Sequence, residues 1–367
     1  MAAPLRTAAT GFAPRTVFEV SPSITRSYFL GHHAGALASM RKVLSNISLI
    51  LECRDSRVPL TSTNPLLEAA LAGRDRIVVY TKADLCAPPS ASRWLEKQQR
   101  LLAEFAPRGS GAGSTQVVFT DERSPRMMRR LIAAVRARAA AEESLTGVQA
   151  LVVGMPNAGK STLLNALRRV GMQLPKAART GAQPGVTRKL STPVRIIPED
   201  VPGGIDQGVF VVDTPGVFVP YVGDVESMLK LSLVGCVKDG LVPAETVADY
   251  LLFRLNLKDP DLYAELCAPT NDVREFLDGV AVRTGKLLKG GVPSQEQAAD
   301  WVVQQWRKGN LGRFGLDDVS EESLRAWRAK TLAGEDRQPL SMSQAKKREK
   351  EARKERHAAK RQAAEGA

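Results

Sequence analysis

Two hydrophobic periods divide the chain. In the first 217 residues the apolar positions come as short, β-branched runs: RIVVY (76–80), STQVVF (114–119), VQALVVG (148–154) and GVFVVD (208–213). Runs of that length with little polar alternation predict buried strands. Two stretches between them, STLLNALRRV (161–170) and RSPRMMRRLIAAVRAR (123–138), place apolar residues at helical spacing instead. From residue 224 to 317 the helical period takes over: VESMLKLSLVG, ETVADYLLFRL, DPDLYAELC, NDVREFLDGVAVRTG and SQEQAADWVVQQW alternate with short turns. This division predicts an α/β domain followed by a small all-α domain, with Trp301 and Trp306 read as core.

The chemistry concentrates where strand meets helix. GMPNAGKST (154–162) fits G-x-x-x-x-G-K-[ST] and lies between an apolar strand and an amphipathic helix, the context that pattern requires. Such a turn aims backbone N–H groups and a helix N-terminus at phosphate. Asn157, Ala158, Gly159 and Thr162 would line the cradle, Lys160 would reach the β- and γ-phosphates, and Ser161 would offer its hydroxyl to Mg²⁺. The loop implies a nucleoside triphosphate without choosing its base.

The base reader is expected at Thr81-Lys82-Ala83-Asp84, where the strand RIVVYT ends. A carboxylate there can accept from guanine N1–H and the exocyclic amine, two donors that adenine lacks, and the Lys82 stem could lie over the base. The tetrapeptide looks like the N-K-x-D motif of GTPases, with Thr81 replacing Asn. DTPG (213–216) resembles their D-x-x-G motif, in which Asp213 would hold Mg²⁺ and the Gly216 N–H would meet the γ-phosphate. GAQPGVT (181–187) supplies Thr187 as the switch hydroxyl. A fifth motif belongs near Thr120, although TDERS there departs from the usual S-A-x. The guanine motif therefore precedes the phosphate loop, the reverse of the ordinary order, and residues 46–138 read as the back half of a domain whose front half is 148–217. A permutation of this kind is feasible because domain termini usually lie close together.

These motifs in this order resemble the circularly permuted ribosome biogenesis GTPase A family. SYFLGHHAGAL (27–37), ECRDSRVPLTSTNP (52–65), GCVKDGLVPAETVADYLL (235–252) and RTGKLLKGGVPSQEQAADWVVQQWRKGNLGRF (283–314) extend the resemblance over residues 26 to 317. It implies an α/β, circularly permuted P-loop GTPase domain with a mostly parallel sheet at 27–222, then a helical domain at 223–330. It also implies GTP hydrolysis with Mg²⁺ and, through Asn157, K⁺ as an activating ion. Where many GTPases carry a water-orienting Gln after D-x-x-G, this chain has Val217 and Phe218, so intrinsic hydrolysis is expected to be slow. His32 matches a family histidine proposed to assist, and a helix-capping or solvent-facing role is the alternative. The implied partner is the large ribosomal subunit with its rRNA, bound in the GTP state and released after hydrolysis.

Charge and the chain ends refine the picture. A net charge of +13 suits a partner made of phosphates, whether RNA or anionic lipid. The surplus is concentrated in 123–138 and in SMSQAKKREKEARKERHAAKR (341–361), inside a tail at 331–367 expected to be disordered or helical. That tail lacks the large apolar face of an interfacial helix, which favours RNA, while a membrane-associated regulator at the mitochondrial inner membrane is the other reading. Residues 1–26 bear Arg6, Arg15 and Arg26 but a single acid, Glu19, a composition that fits a mitochondrial transit segment or a disordered leader and is set outside the fold. The location expected is thus the mitochondrial matrix. Four scattered cysteines without a C-x-x-C, beside three histidines, argue against zinc and for a reducing compartment. No substrate chemistry beyond the triphosphate loop supports a metabolic ATP-using enzyme.

Overall fold

The computed structural model describes residues 11–19, 24, 31–88, 90–106, 115–141, 147–178, 180–181, 187, 190–198, 208–218, 222, 224–334, 347 and 350–351. Among them six strands form one sheet: β1 (Leu49–Asp55), β2 (Arg76–Thr81), β3 (Thr115–Phe119), β4 (Val148–Gly154), β5 (Val194–Ile197) and β6 (Val209–Asp213). Their spatial order is β3-β2-β1-β4-β6-β5, parallel throughout except for the antiparallel edge pair β5–β6. The phosphate-loop strand β4 stands in the middle, with the guanine-motif strands on one side and the D-x-x-G strand on the other. The α/β, mostly parallel sheet expected from the apolar runs is present.

Helices α1 (Gly31–Val43), α2 (Pro65–Ala70), α3 (Ala83–Cys86), α4 (Ser92–Phe105), α5 (Pro125–Ala140) and α6 (Lys160–Met172) dress this sheet. Alternation along β1 sorts the layers: Leu49, Leu51 and Cys53 pack under α5 and α6, while Ile50 packs toward α1 and α2. The Ile50 face then continues with charge. Glu52 and Arg54 are both buried, and Arg54 bridges Glu52 at 2.7 Å and Glu68 of α2 at 2.6 Å. Arg76 of β2 joins the same pair of acids. Burial alone would raise the Glu52 carboxyl, but the Arg54 and Arg76 guanidiniums outweigh it and hold the group below the ordinary carboxylate value.

The helical region comprises α7 (Val225–Leu233), α8 (Ala244–Lys258), α9 (Val273–Thr284), α10 (Gln295–Arg307) and α11 (Glu321–Gly334). Its core runs from Leu229, Leu251, Phe276 and Trp306 to Val58, Met155 and Phe218 of the α/β part, so the two regions share apolar surface. Leu324 of α11 instead packs against β2, β3 and α4. Trp301 and Trp306 are core-facing, as expected. DPDLYAELC departs from the helix its spacing predicts: only Pro260–Tyr263 coils, as a 3₁₀ turn. The Tyr263 hydroxyl ties back to Asn256, whose amide donates to Thr270 O at 2.8 Å, and Gly279 of α9 sits so close that a Cβ would come within 2.6 Å of Cys267. That packing holds the segment as a compact loop.

The chain start also departs from expectation. Residues 11–19 do not stand apart from the fold; they lie along the helical region. Arg15 pairs with Asp249 at 2.6 Å, and Phe18 meets Tyr250 edge-on at 5.3 Å between ring centroids. A stretch read as leader on composition is thus held by residues more than 230 positions away, which composition cannot register. Residues 1–10 and most of the basic tail, including nearly all of 341–361, lie outside the described residues. Among the described residues no helix is long and apolar enough to cross a membrane.

Candidate nucleotide site

The carboxyl ends of β4, β2 and β6 open onto a cavity of about 380 Å³. On one side lies the loop 154–159. Gly154 has φ +143 and passes so close to the Cys53 carbonyl that no side chain fits there; Gly159, at φ +84, abuts Thr81. Lys160 is buried and its Nζ donates to Met155 O at 2.8 Å across the loop, while burial lowers its pKa. Gly216 follows Asp213 so closely past Pro156 that a Cβ would meet the Pro156 backbone at 2.6 Å. The D-x-x-G turn and the phosphate loop are therefore packed backbone to backbone.

Three oxygens gather beside the loop. The Ser161 hydroxyl donates to one oxygen of Asp213 and lies 3.1 Å from the Thr187 hydroxyl. The other oxygen, Asp213 Oδ1, is buried without a hydrogen-bond partner among the described residues. Burial raises the Asp213 pKa, against which the Ser161 hydrogen bond works. An orphaned carboxylate oxygen beside two hydroxyls is a hard, all-oxygen donor set, and it fits Mg²⁺ better than softer metals. Val217 and Phe218, next along the chain, are buried, with Val217 N donating to Gly154 O and its carbonyl accepting from Asn64.

The guanine motif lies across the cavity and does more than face it. Thr81 is buried, and its hydroxyl donates to Ala158 O at 2.8 Å, bolting β2 to the phosphate loop. Lys82 adopts φ +57; its ammonium bonds both Asp55 and the Asn157 carbonyl at 2.8 Å. Ala83 is buried with its N–H on Thr120 O, and Thr120 N donates to Tyr80 O, so Thr120 supports the motif through its backbone. Asp84 is half-buried at the cavity wall, within a cluster formed with Asp121 and Glu122. Its pKa is raised by burial first and then by those two acids. Thr162 and Glu122 line a small recess beneath. His32 falls in the first turn of α1, and its side chain lies outside the described residues.

Two groups lie in stretches that carry the family resemblance but were given no role from sequence. Asp55 is fully buried at the end of β1 and binds Arg57 through two bonds, 2.9 and 2.7 Å, as well as Lys82. Those cations override its burial and hold its carboxyl well below the ordinary value. Arg57 in turn stacks over Trp306, 4.9 Å from the ring. The available signal was an Asp-x-Arg pair at the end of an apolar strand, where an unpaired charge could not stay. The second group is Gly235, whose carbonyl accepts from the Asn157 amide at 2.7 Å and brings the helical region to the cavity rim. No local pattern announces that contact.

Known proteins arrange around the same features. The family described as 50S ribosome-binding GTPase matches residues 149–264. Mitochondrial GTPase 1 of Schizosaccharomyces pombe is 37% identical over 322 residues, 85% of this chain and 95% of the relative. Mitochondrial ribosome-associated GTPase 1 of Xenopus tropicalis is 31% identical over 322 residues, covering 83% of this chain and 98% of its own. Ribosome biogenesis GTPase A of Priestia megaterium is 29% identical over 303 residues, 81% and 98% of the two chains. The crystal structure of GNP-bound YlqF from T. maritima shares the fold at a TM-score of 0.50 and 22% identity, over 78% of this chain and 99% of that one. Permuted motif order, central phosphate-loop strand and near full-length relatives agree: the chain belongs to the mitochondrial GTPase 1 family of circularly permuted GTPases.

Proposed function

We propose that the chain is a switch for mitochondrial ribosome assembly: it docks on the large ribosomal subunit with GTP bound and leaves after hydrolysis. The observation that carries this reading is the convergence of Ser161, Thr187 and Asp213 beside the phosphate loop, with Asp84 across the same cavity. Thr187 reaches the Ser161 hydroxyl, the position of a switch hydroxyl, and a segment ordered by GTP and released by hydrolysis is how such switches signal. Backbone N–H groups of 157–162 cradle the phosphates, with Lys160 leaving Met155 O for the β- and γ-oxygens. Asp84 accepts from the guanine edge beside the Lys82 stem. Ser161, Thr187 and Asp213 would hold Mg²⁺, which would supply positive charge beside the β- and γ-phosphates.

Hydrolysis then depends on what this chain adds. Val217 and Phe218 offer no side-chain hydrogen bond to orient water. His32, K⁺ beside Asn157, or the ribosomal partner completes the site. The domain reading is a GTPase unit at 27–222, a helical recognition unit at 223–330 and a basic tail at 331–367 that meets rRNA. The relatives' names, mitochondrial and ribosome-associated, support the compartment and the partner. The test is sedimentation of the full chain with mitochondrial large subunits in a non-hydrolysable GTP analogue and in GDP. Cosedimentation with the analogue and loss with GDP is expected; equal association in both states would sink the switch.

A further inference from the structure

A second cleft lies away from the nucleotide cavity. It measures about 790 Å³ and runs between α4 of the α/β part and two stretches of the helical region, the end of α8 and residues 313–321. Trp94 stands in its wall with 42% of its surface exposed, although Trp is ordinarily a well-covered residue. Lys97 follows one helical turn later on the same face. Lys258 and Arg313 approach from the helical side.

Two of the three acids in that wall have cationic partners: Asp317 meets Lys230 at 3.3 Å and Glu321 meets Arg325, while Asp318 meets only hydroxyls and keeps its charge. Asp317 also accepts from Leu60 N, Thr61 N and the Thr61 hydroxyl. Lys97, Lys258 and Arg313 have no carboxylate partner among the described residues. The cleft therefore combines the exposed Trp94, an apolar lining that includes Phe119 and Phe314, and three cations without an acidic partner against one carboxylate without a cationic one, Asp318, a net positive balance. An aromatic platform inside a positive groove is the chemistry that holds single-stranded nucleic acid, where bases stack and phosphates track the cations. Duplex RNA does not fit it, since its bases are already stacked and unavailable.

We infer that this cleft binds a short single-stranded segment of RNA, with a base on Trp94 and the backbone spanning Lys97 on one side and Lys258 and Arg313 on the other. The inference rests on the ribosomal reading above and names the surface that makes the contact. Because the cations come from both regions, one RNA strand would bind the α/β part to the helical part. It would also rest on the underside of the guanine motif, since Ser56 in the cleft floor donates to Lys82 O at 2.9 Å.

The experiment uses the full chain and a labelled ten-nucleotide uridine-rich RNA, read by anisotropy, with parent-protein tryptophan quenching as a second signal. Trp94→Leu should weaken RNA binding about five- to a hundredfold, the worth of one stacked base, and Trp94→Phe should restore part of it. Lys97→Glu with Lys258→Glu should weaken it at least tenfold and flatten the salt dependence. Affinity for a GTP analogue, unchanged in every variant, shows that the fold is intact. Equal RNA affinity in parent and variants overturns the inference. So does a loss of subunit docking without a loss of RNA affinity, which would assign the cleft to a protein partner. If the parent chain fails to dock on subunits yet binds RNA through Trp94, the ribosomal reading fails while the cleft assignment stands.

Discussion

The two halves of the nucleotide cavity are built by different means. The half proposed to hold phosphate is one contiguous turn, residues 154–162, shaped by the positive φ of Gly154 and Gly159 and carrying one buried lysine. The base half is assembled from separate strand ends: Asp55 on β1, Lys82 and Asp84 after β2, and Thr120 to Glu122 after β3. Its side chains spend much of their bonding on each other. Thr81 and Lys82 hold the phosphate loop, and Asp55 holds Lys82. The two halves are therefore joined through Thr81 and Lys82, side chains of the base half on carbonyls of the phosphate half.

That contrast can be broken at its strongest point first. Lys160→Ala removes the one buried ammonium of the phosphate loop. It should cost on the order of 3–6 kcal/mol of triphosphate binding, two charge-assisted hydrogen bonds, or roughly a hundredfold to ten-thousandfold by calorimetry. Unfolding stability should change little by comparison, because the folded chain spends that ammonium on a single carbonyl.

Asp55→Asn should do the opposite. It leaves Arg57 and Lys82 charged without their shared partner, an expected loss of about 3–5 kcal/mol in denaturant unfolding. The sign with pH follows from the depressed pKa: the stabilisation is present above the ordinary value of 3.8 and is lost as pH falls toward the folded pKa. Acid should therefore destabilise the parent more than the Asn variant. If both lose stability in parallel on acidification, Asp55 is not the keystone of the base half.

Asp84→Asn tests the base reader itself. GTP should weaken by about 1.5–3 kcal/mol, tenfold to a hundredfold, while xanthosine triphosphate gains, because the amide offers one donor and one acceptor. Unaltered GTP affinity would remove Asp84 from that role. The smallest effect concerns its acidic neighbours. Burial, Asp121 and Glu122 raise the Asp84 pKa above 3.8, so its proton is retained at higher pH than usual. A protonated carboxyl loses an acceptor, and GTP affinity should decline on acidification sooner than an isolated aspartate would dictate. Glu122→Gln should move that decline to lower pH; an unmoved profile would show that the cluster is electrically inert.

Legibility in the sequence follows the same division. The strand–loop–helix at 148–170, the permuted order and the helical character of 224–317 are local patterns, readable because period and turn residues lie within a dozen positions of each other. The Asp55–Arg57–Lys82 network was not readable, because its meaning depends on β1 and β2 pairing in register, Asp55 opposite Thr81. Nor was the Asn157–Gly235 contact, whose partners are 78 residues apart. The packing of residues 11–19 on the helical region was not readable either, because composition counts charges without their partners, and Arg15 has one in Asp249. The 3₁₀ turn at Pro260–Tyr263 shows the converse, a helical period overruled by a tight approach at Gly279.

The placement of β1 between β2 and β4 also sets a timetable for synthesis. β1 leaves the translating ribosome about a hundred residues before β4, so at elongation rates of roughly 5–20 residues per second one edge of a central strand waits some 5–20 s for its neighbour. During that wait the nascent chain exposes unpaired backbone beside Leu49, Ile50 and Leu51, the kind of edge that recruits other strands. A conventional order would synthesise the phosphate-loop strand first and close the sheet outward from it. The permuted order instead leaves this edge of β1 open until β4 has been made.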